Sequence, residues 1–176
     1  EFRRVLFRSG CGYNSDMTEQ APNAHLTAAI WHWDVYYQAA IETAMTCGGA
    51  ENFVTEMGGN AYYAGLSEGF VDASTLNELV AAPGTAAAME AVRELIDSGE
   101  WDVFSGVKLN ITVDAEAGTA AVEQVDAPLM SDGYELKDGE VVEMANPEIV
   151  PAGGASVTDD VIKSGMNYNV AGVVEG

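Results

Sequence analysis

The chain has 176 residues, 48% of them hydrophobic and 20% charged, enough for one domain with a core or for two small lobes. Seven Lys and Arg stand against 28 Asp and Glu, a formal net charge of −21. So acidic a surface repels phosphate backbones and excludes nucleic acid as a partner, and no stretch reaches the roughly 20 apolar residues of a membrane-spanning helix.

The acidity reads first as a solvated coat whose self-repulsion salt screens, and second as a docking face for a basic partner. Three of the cations, Arg3, Arg4 and Arg8, fall in the opening segment. After it only Arg93, Lys108, Lys137 and Lys163 remain. Residues 1–10 therefore read as a non-native leader. They contain no secretory apolar region, because Arg8 interrupts Val5-Leu6-Phe7, and no lipobox before Cys11. Cys11 and Cys47 are too few for a disulfide scaffold and read as two buried thiols packing as small hydrophobes.

In chain order, residues 13–19 look like a strand end running into a loop. Residues 25–31, His-Leu-Thr-Ala-Ala-Ile-Trp, are a short apolar run that fits a buried strand. Asp34 is placed to cap a helix reaching Met45, with Val35, Ala39, Ala40 and Thr43 as helix-spaced neighbours and Gly48-Gly49 as its stop. Residues 50–80 alternate aromatic and glycine-rich pieces and predict strands and turns. Residues 85–98 give the clearest helix: Ala88, Met89, Val92, Leu95 and Ile96 share a face, Pro83-Gly84 precedes it, and Gly99 ends it.

Residues 101–107 predict a further strand. Asp138-Gly139 carries the signature of a tight hairpin. Residues 158–163 suggest a short helix, its acids near the start where the helix dipole favours them, with Gly165 as the stop. No internal repeat appears. Strand–helix alternation in the first hundred residues argues for an α/β layout.

The search for chemistry returns little. His25 and His32 lack companions at zinc-ligand spacing, 126–135 does not fit a calcium loop, and no phosphate-loop or nucleophile-elbow pattern occurs. One constellation stands out. Asn14-Ser15-Asp16 follows a predicted strand, and Trp31-His32-Trp33-Asp34 follows the next, with Tyr36-Tyr37 beyond. Asn and Asp suit ligand hydroxyls or ring N–H groups, and indole faces stack on flat rings. Polar groups at strand ends beside aromatic walls are what a small-molecule cleft needs. The competing reading is a buried aromatic cluster beside a turn-forming Asn-Ser-Asp.

Taken together, Cys11-Gly12-Tyr13-Asn14-Ser15-Asp16-Met17, Pro22, His25-Leu26-Thr27, Trp31-x-Trp33 and Tyr36-Tyr37 resemble the BMP/Med (basic membrane lipoprotein) family of substrate-binding proteins of ABC importers. Further on, Ile96-Asp97-Ser98-Gly99-Glu100-Trp101, Phe104-Ser105-Gly106 and the closing 166–173 stretch agree with it. The resemblance spans residues 11–176. It implies the C-terminal portion of a type I periplasmic binding protein with hinge crossover elements and with most of the N-terminal lobe missing. It further implies a purine nucleoside or base held in an interlobe cleft, an ABC permease as partner, and no cofactor, metal or catalytic residue. The location implied is the periplasm or cell envelope, with membrane association only through an upstream lipid anchor. Ligand contacts would come from Asn14, Asp16, Trp31 and Trp33.

Two departures weaken the fit to a ribose-bearing ligand. Asn14 stands where the family carries its first strand-end Asp, and Trp31 stands where many members carry Lys. The alternatives are a binder of another small solute such as a simple sugar, a sensory module of the same fold, and an α/β enzyme acting on nucleosides.

Overall fold

A computed structural model describes residues 9–172. It mixes helices with mostly antiparallel strands and divides into two compact units between Ala86 and Ala87. The first eight residues of the expected leader lie outside the described residues, and Gly10 is the first residue of the first strand.

The first unit is built on a three-stranded sheet. Strand β1 (Gly10–Asn14) runs parallel to β2 (His25–Trp31), the strand predicted at 25–31. Strand β3 (Val71–Ala73) lies antiparallel on the other side of β2, giving the order β1-β2-β3. Asn14 ends β1 with φ 70°, a left-handed conformation that Asn tolerates better than most residues, and so reverses the chain. The connection 15–24 is short for a parallel crossover and contains no helix. It coils through local bonds instead, from the N–H groups of Gln20 and Ala21 to the Met17 carbonyl and from His25 N–H to the Ala21 carbonyl.

Helix α1 (Trp33–Thr46) follows β2 after one residue. The expected Asp34 cap is corrected. The N-cap is His32, which makes no side-chain capping bond, and Asp34 lies inside the first turn, where it meets the helix dipole. Gly48, with φ 74°, supplies the left-handed residue after the Cys47 C-cap. A second helix, α2 (Ala50–Glu56), occupies part of the stretch expected to hold only strands and turns. No glycine or proline interrupts Ala50 to Met57, and Gly58 at φ 80° stops the helix. The glycines and aromatics downstream obscured that short clean run.

The unit boundary falls in the first turn of α3 (Thr85–Asp97), close to the predicted helix. The expected strand at 101–107 is a loop. Asp102 accepts the Phe104 N–H (2.7 Å) in a tight turn, and the Trp101 indole N–H donates to the Val107 carbonyl (2.9 Å). Extended structure begins only at β4 (Val107–Asp114), which forms a hairpin with β5 (Thr119–Asp126). Strand β6 (Leu129–Lys137) then serves as a hub. Antiparallel to it run β7 (Glu140–Glu143), β8 (Glu148–Val150) and β9 (Tyr168–Val170). The β6–β7 turn is the expected Asp138-Gly139 hairpin, both residues having positive φ (52° and 84°). Helix α4 (Asp159–Ser164) carries Asp159 and Asp160 in its first turn and ends at Gly165, as expected.

The interior is small. Among the described residues the buried apolar side chains are Ala28, Phe70, Leu129 and Val150, and none of α1, α2 and α3 contains a buried residue. Buried polar side chains complete the first core. Asn77 donates to the carbonyls of Pro22 and His25 (both 2.8 Å) and accepts from Leu79 N–H. Ser74 Oγ accepts from Ala28 N–H (3.0 Å). These bonds hold the chain after β3 along β2 and fix the 15–24 connection.

Candidate functional site: an aromatic shelf beside the first sheet

Seven rings gather where β2 hands over to α1. Trp31 is the last residue of β2 and Trp33 the first of α1. Their rings stack with centroids 5.9 Å apart and planes 26° from parallel. Phe70, just before β3, is the buried centre of the group. It meets Trp31, Trp33 and Tyr62 edge-to-face at 5.3, 5.6 and 5.2 Å. Backbone pins this arrangement, because His32 N–H donates to the Phe70 carbonyl (2.8 Å). Tyr36 leans against Trp33, Tyr37 and Tyr62, and Tyr13 of β1 puts its edge on Trp31 at 6.4 Å. Edge-to-face and offset stacking are the orientations that ring quadrupoles favour.

The rings are packed against one another, not spread into a slot. A flat ligand between the two indoles would need about 7 Å, two van der Waals spacings of about 3.5 Å. Their separation is 5.9 Å, so a ligand ring has to lie on an outer face. Trp33 is the more open of the two indoles, 52% exposed, and Tyr13 stands more open still. Tyr36 and Tyr62 also line a cavity of ≈ 210 Å³ shared with Phe53, Met57 and Asn60. That volume is below the usual range of drug-sized pockets, roughly 300–1,000 Å³.

The four residues singled out in the sequence come from β1, the turn that follows it, the end of β2 and the start of α1. Asn14 pairs in register with Ile30, one residue before Trp31, so its backbone reaches the same end of the sheet as the indoles. The chain folds back after Asn14, and Asp16 Oδ1 lies 3.3 Å from Nε2 of His25, the first residue of β2.

Asp16 has local work in that position. Its Oδ1 accepts from the Thr18 N–H (2.8 Å) and the Thr18 hydroxyl (2.5 Å). The Thr18 hydroxyl above all, then the Thr18 amide and the neighbouring His25, hold its carboxyl below the ordinary Asp value. His25 Nε2 also faces Met17 N–H at 3.4 Å. With a lone pair it takes the Met17 N–H, and with a proton it donates to Asp16 instead. Either way the buried imidazole ties the crossover to β2.

Gly12 is the opening for that imidazole. A Cβ there would lie 3.2 Å from both His25 Cε1 and Ala28 Cβ. The Ser74 and Asn77 ties went unpredicted because they span about fifty residues and leave no local pattern.

The remaining polar groups define no second centre. Cys11 is exposed, correcting the expectation of a buried thiol, and the half-buried Cys47 points its thiol at the Gly49 carbonyl (3.2 Å). Among the described residues no cluster of three His, Cys, Asp or Glu is arranged to hold a metal, and no helix is long and apolar enough to cross a membrane. No protein-family model matches the chain, and no curated protein matches it either.

Proposed function

We propose that the chain is part of a solute receptor of the cell envelope, the substrate-binding component of an ABC importer. It binds a purine nucleoside or base without making or breaking bonds. The observation that carries this reading is the exposed indole of Trp33, braced from behind by Trp31 and Phe70 and placed where the parallel pair β1 and β2 ends. Ligands of open α/β sheets bind beyond the carboxyl ends of parallel strands, and a purine is a flat ring suited to an indole face.

In this arrangement Trp33 stacks on the base. Trp31 holds Trp33 in place, and Asn14 supplies donor and acceptor groups at the rim. Asp16 positions the turn that carries Asn14, through Thr18 and His25. The resemblance to BMP/Med proteins supplies the transport context, with the periplasm as location, a permease as partner, and type I lobes that close around the ligand by hinge motion. The test is a tryptophan-fluorescence titration with adenine, adenosine, guanosine and ribose. The proposal expects saturable quenching by the purines and none by ribose. Quenching by sugars alone would replace the ligand class, and no response to any of the four would remove the reading.

A further inference from the structure

Helix α1 neighbours α2 and carries large apolar side chains on its open side. Its half-buried side is mostly small, with Val35, Ala39, Ala40 and Thr43 beside Tyr36. A line of large apolar side chains faces outward instead. Tyr37, Ile41 and Met45 recur every four residues, one line on the helix surface, and are 58%, 61% and 81% exposed. Val54 of the neighbouring α2 is also half-exposed. An apolar patch of this kind marks an interaction surface.

Charge says what covers it. The residues next to the line are Asp34, Gln38 and Glu42, and the Gln38 amide donates to Glu42 at 2.8 Å. No Lys or Arg occurs anywhere between Arg8 and Arg93, so this stretch of sequence carries acids without a single permanent cation. A second copy would set Asp34 and Glu42 against their own images. An anionic lipid surface would be repelled for the same reason.

We infer that this face of α1 docks a basic amphipathic helix of a partner protein. The partner's apolar ridge lies along Tyr37, Ile41 and Met45. Its Lys or Arg residues stand beside that ridge opposite Asp34 and Glu42, which are about 12 Å apart at 1.5 Å per residue. Electrostatic attraction steers the encounter, and apolar burial holds the complex. The inference does not depend on which solute the aromatic shelf takes.

The test uses the full chain and a labelled 14-residue peptide of Leu and Lys patterned as an amphipathic helix, followed by fluorescence anisotropy. The expected result is saturable binding that weakens with salt. It falls at least about tenfold in the Ile41→Ser, Met45→Ser double variant and a few-fold in Glu42→Gln. Both serines replace exposed side chains, so an unchanged unfolding temperature shows that the loss is not a folding defect. Equal binding of a shuffled peptide of the same composition would overturn the inference, as would undiminished binding by the double variant. Sedimentation of the chain alone as a dimer that the double variant dissociates would give the face to a second copy and overturn it equally.

Discussion

The two units of this chain solve the same problem by different means. The first has little regular sheet, and rings hold it: every ring contact described above lies between Tyr13 and Phe70. Buried polar side chains at His25, Ser74 and Asn77 do the rest. The second relies on backbone. The β4–β5 hairpin and the strands around β6 supply ladder bonds, and Gly106 lets two loops touch. Gly106 N–H donates to the Gly154 carbonyl (3.0 Å), and its own carbonyl accepts from both Ala127 and Gly153. The ring cluster, and with it the candidate site, belongs to the first unit.

The largest expected effect breaks the ring-built unit. Phe70→Ala removes the side chain on which Trp31, Trp33 and Tyr62 converge and should cost about 3–5 kcal/mol. Denaturant unfolding followed by tryptophan fluorescence should show it, with the amide protection of β4 and β5 kept. Loss of that protection as well would mean that the two units do not separate as drawn.

Gly106→Ala strikes the ladder-built unit instead. A Cβ there would collide with the Pro151 carbonyl oxygen and the Gly154 nitrogen, both backbone atoms. The expected cost is about 1–3 kcal/mol, read as lost amide protection along 106–107 and 151–157 with the Trp31–Trp33 fluorescence signature intact.

The smallest effect tests the crossover turn. The carboxyl of Asp16 titrates below its ordinary value, chiefly because the Thr18 hydroxyl bonds its charged form. A depressed folded-state value stabilises the turn above the unfolded value, about pH 4, and that contribution fades as pH falls through the folded one. Thr18→Val should move the Asp16 titration back up toward the ordinary carboxylate value, measured by NMR. An unmoved titration would mean that Thr18 is not its partner in solution.

Much of the layout was legible locally. The apolar run at 25–31 became β2, and the shared face of Ala88, Met89, Val92, Leu95 and Ile96 became α3. Asp138-Gly139 became a hairpin, because Asp and Gly accept two successive positive φ angles at low cost. The alternation Val107, Leu109, Ile111, Val113 was a readable strand signal that went unused, and the turn residues Asp114 to Gly118 closed its hairpin. The loop at Trp101 could not be read locally, since an apolar run says nothing of an indole that bonds Val107 across the turn.

The candidate site shows the same limit. Trp31 and Trp33 came together as expected because one residue separates them at a strand–helix junction. Asp16 turned to the buried His25 imidazole because a left-handed Asn14 redirects the chain, a choice of backbone direction that no spacing in the sequence reveals.

The central claim is that the outer face of Trp33 carries the ligand, and calorimetric titration of adenine into the chain and its Trp33→Ala variant addresses it most directly. The expected result is binding to the unaltered chain that weakens in the variant by about one order of magnitude, the scale of base–aromatic stacking. Equal heats from both proteins would contradict it and move the purine to another surface.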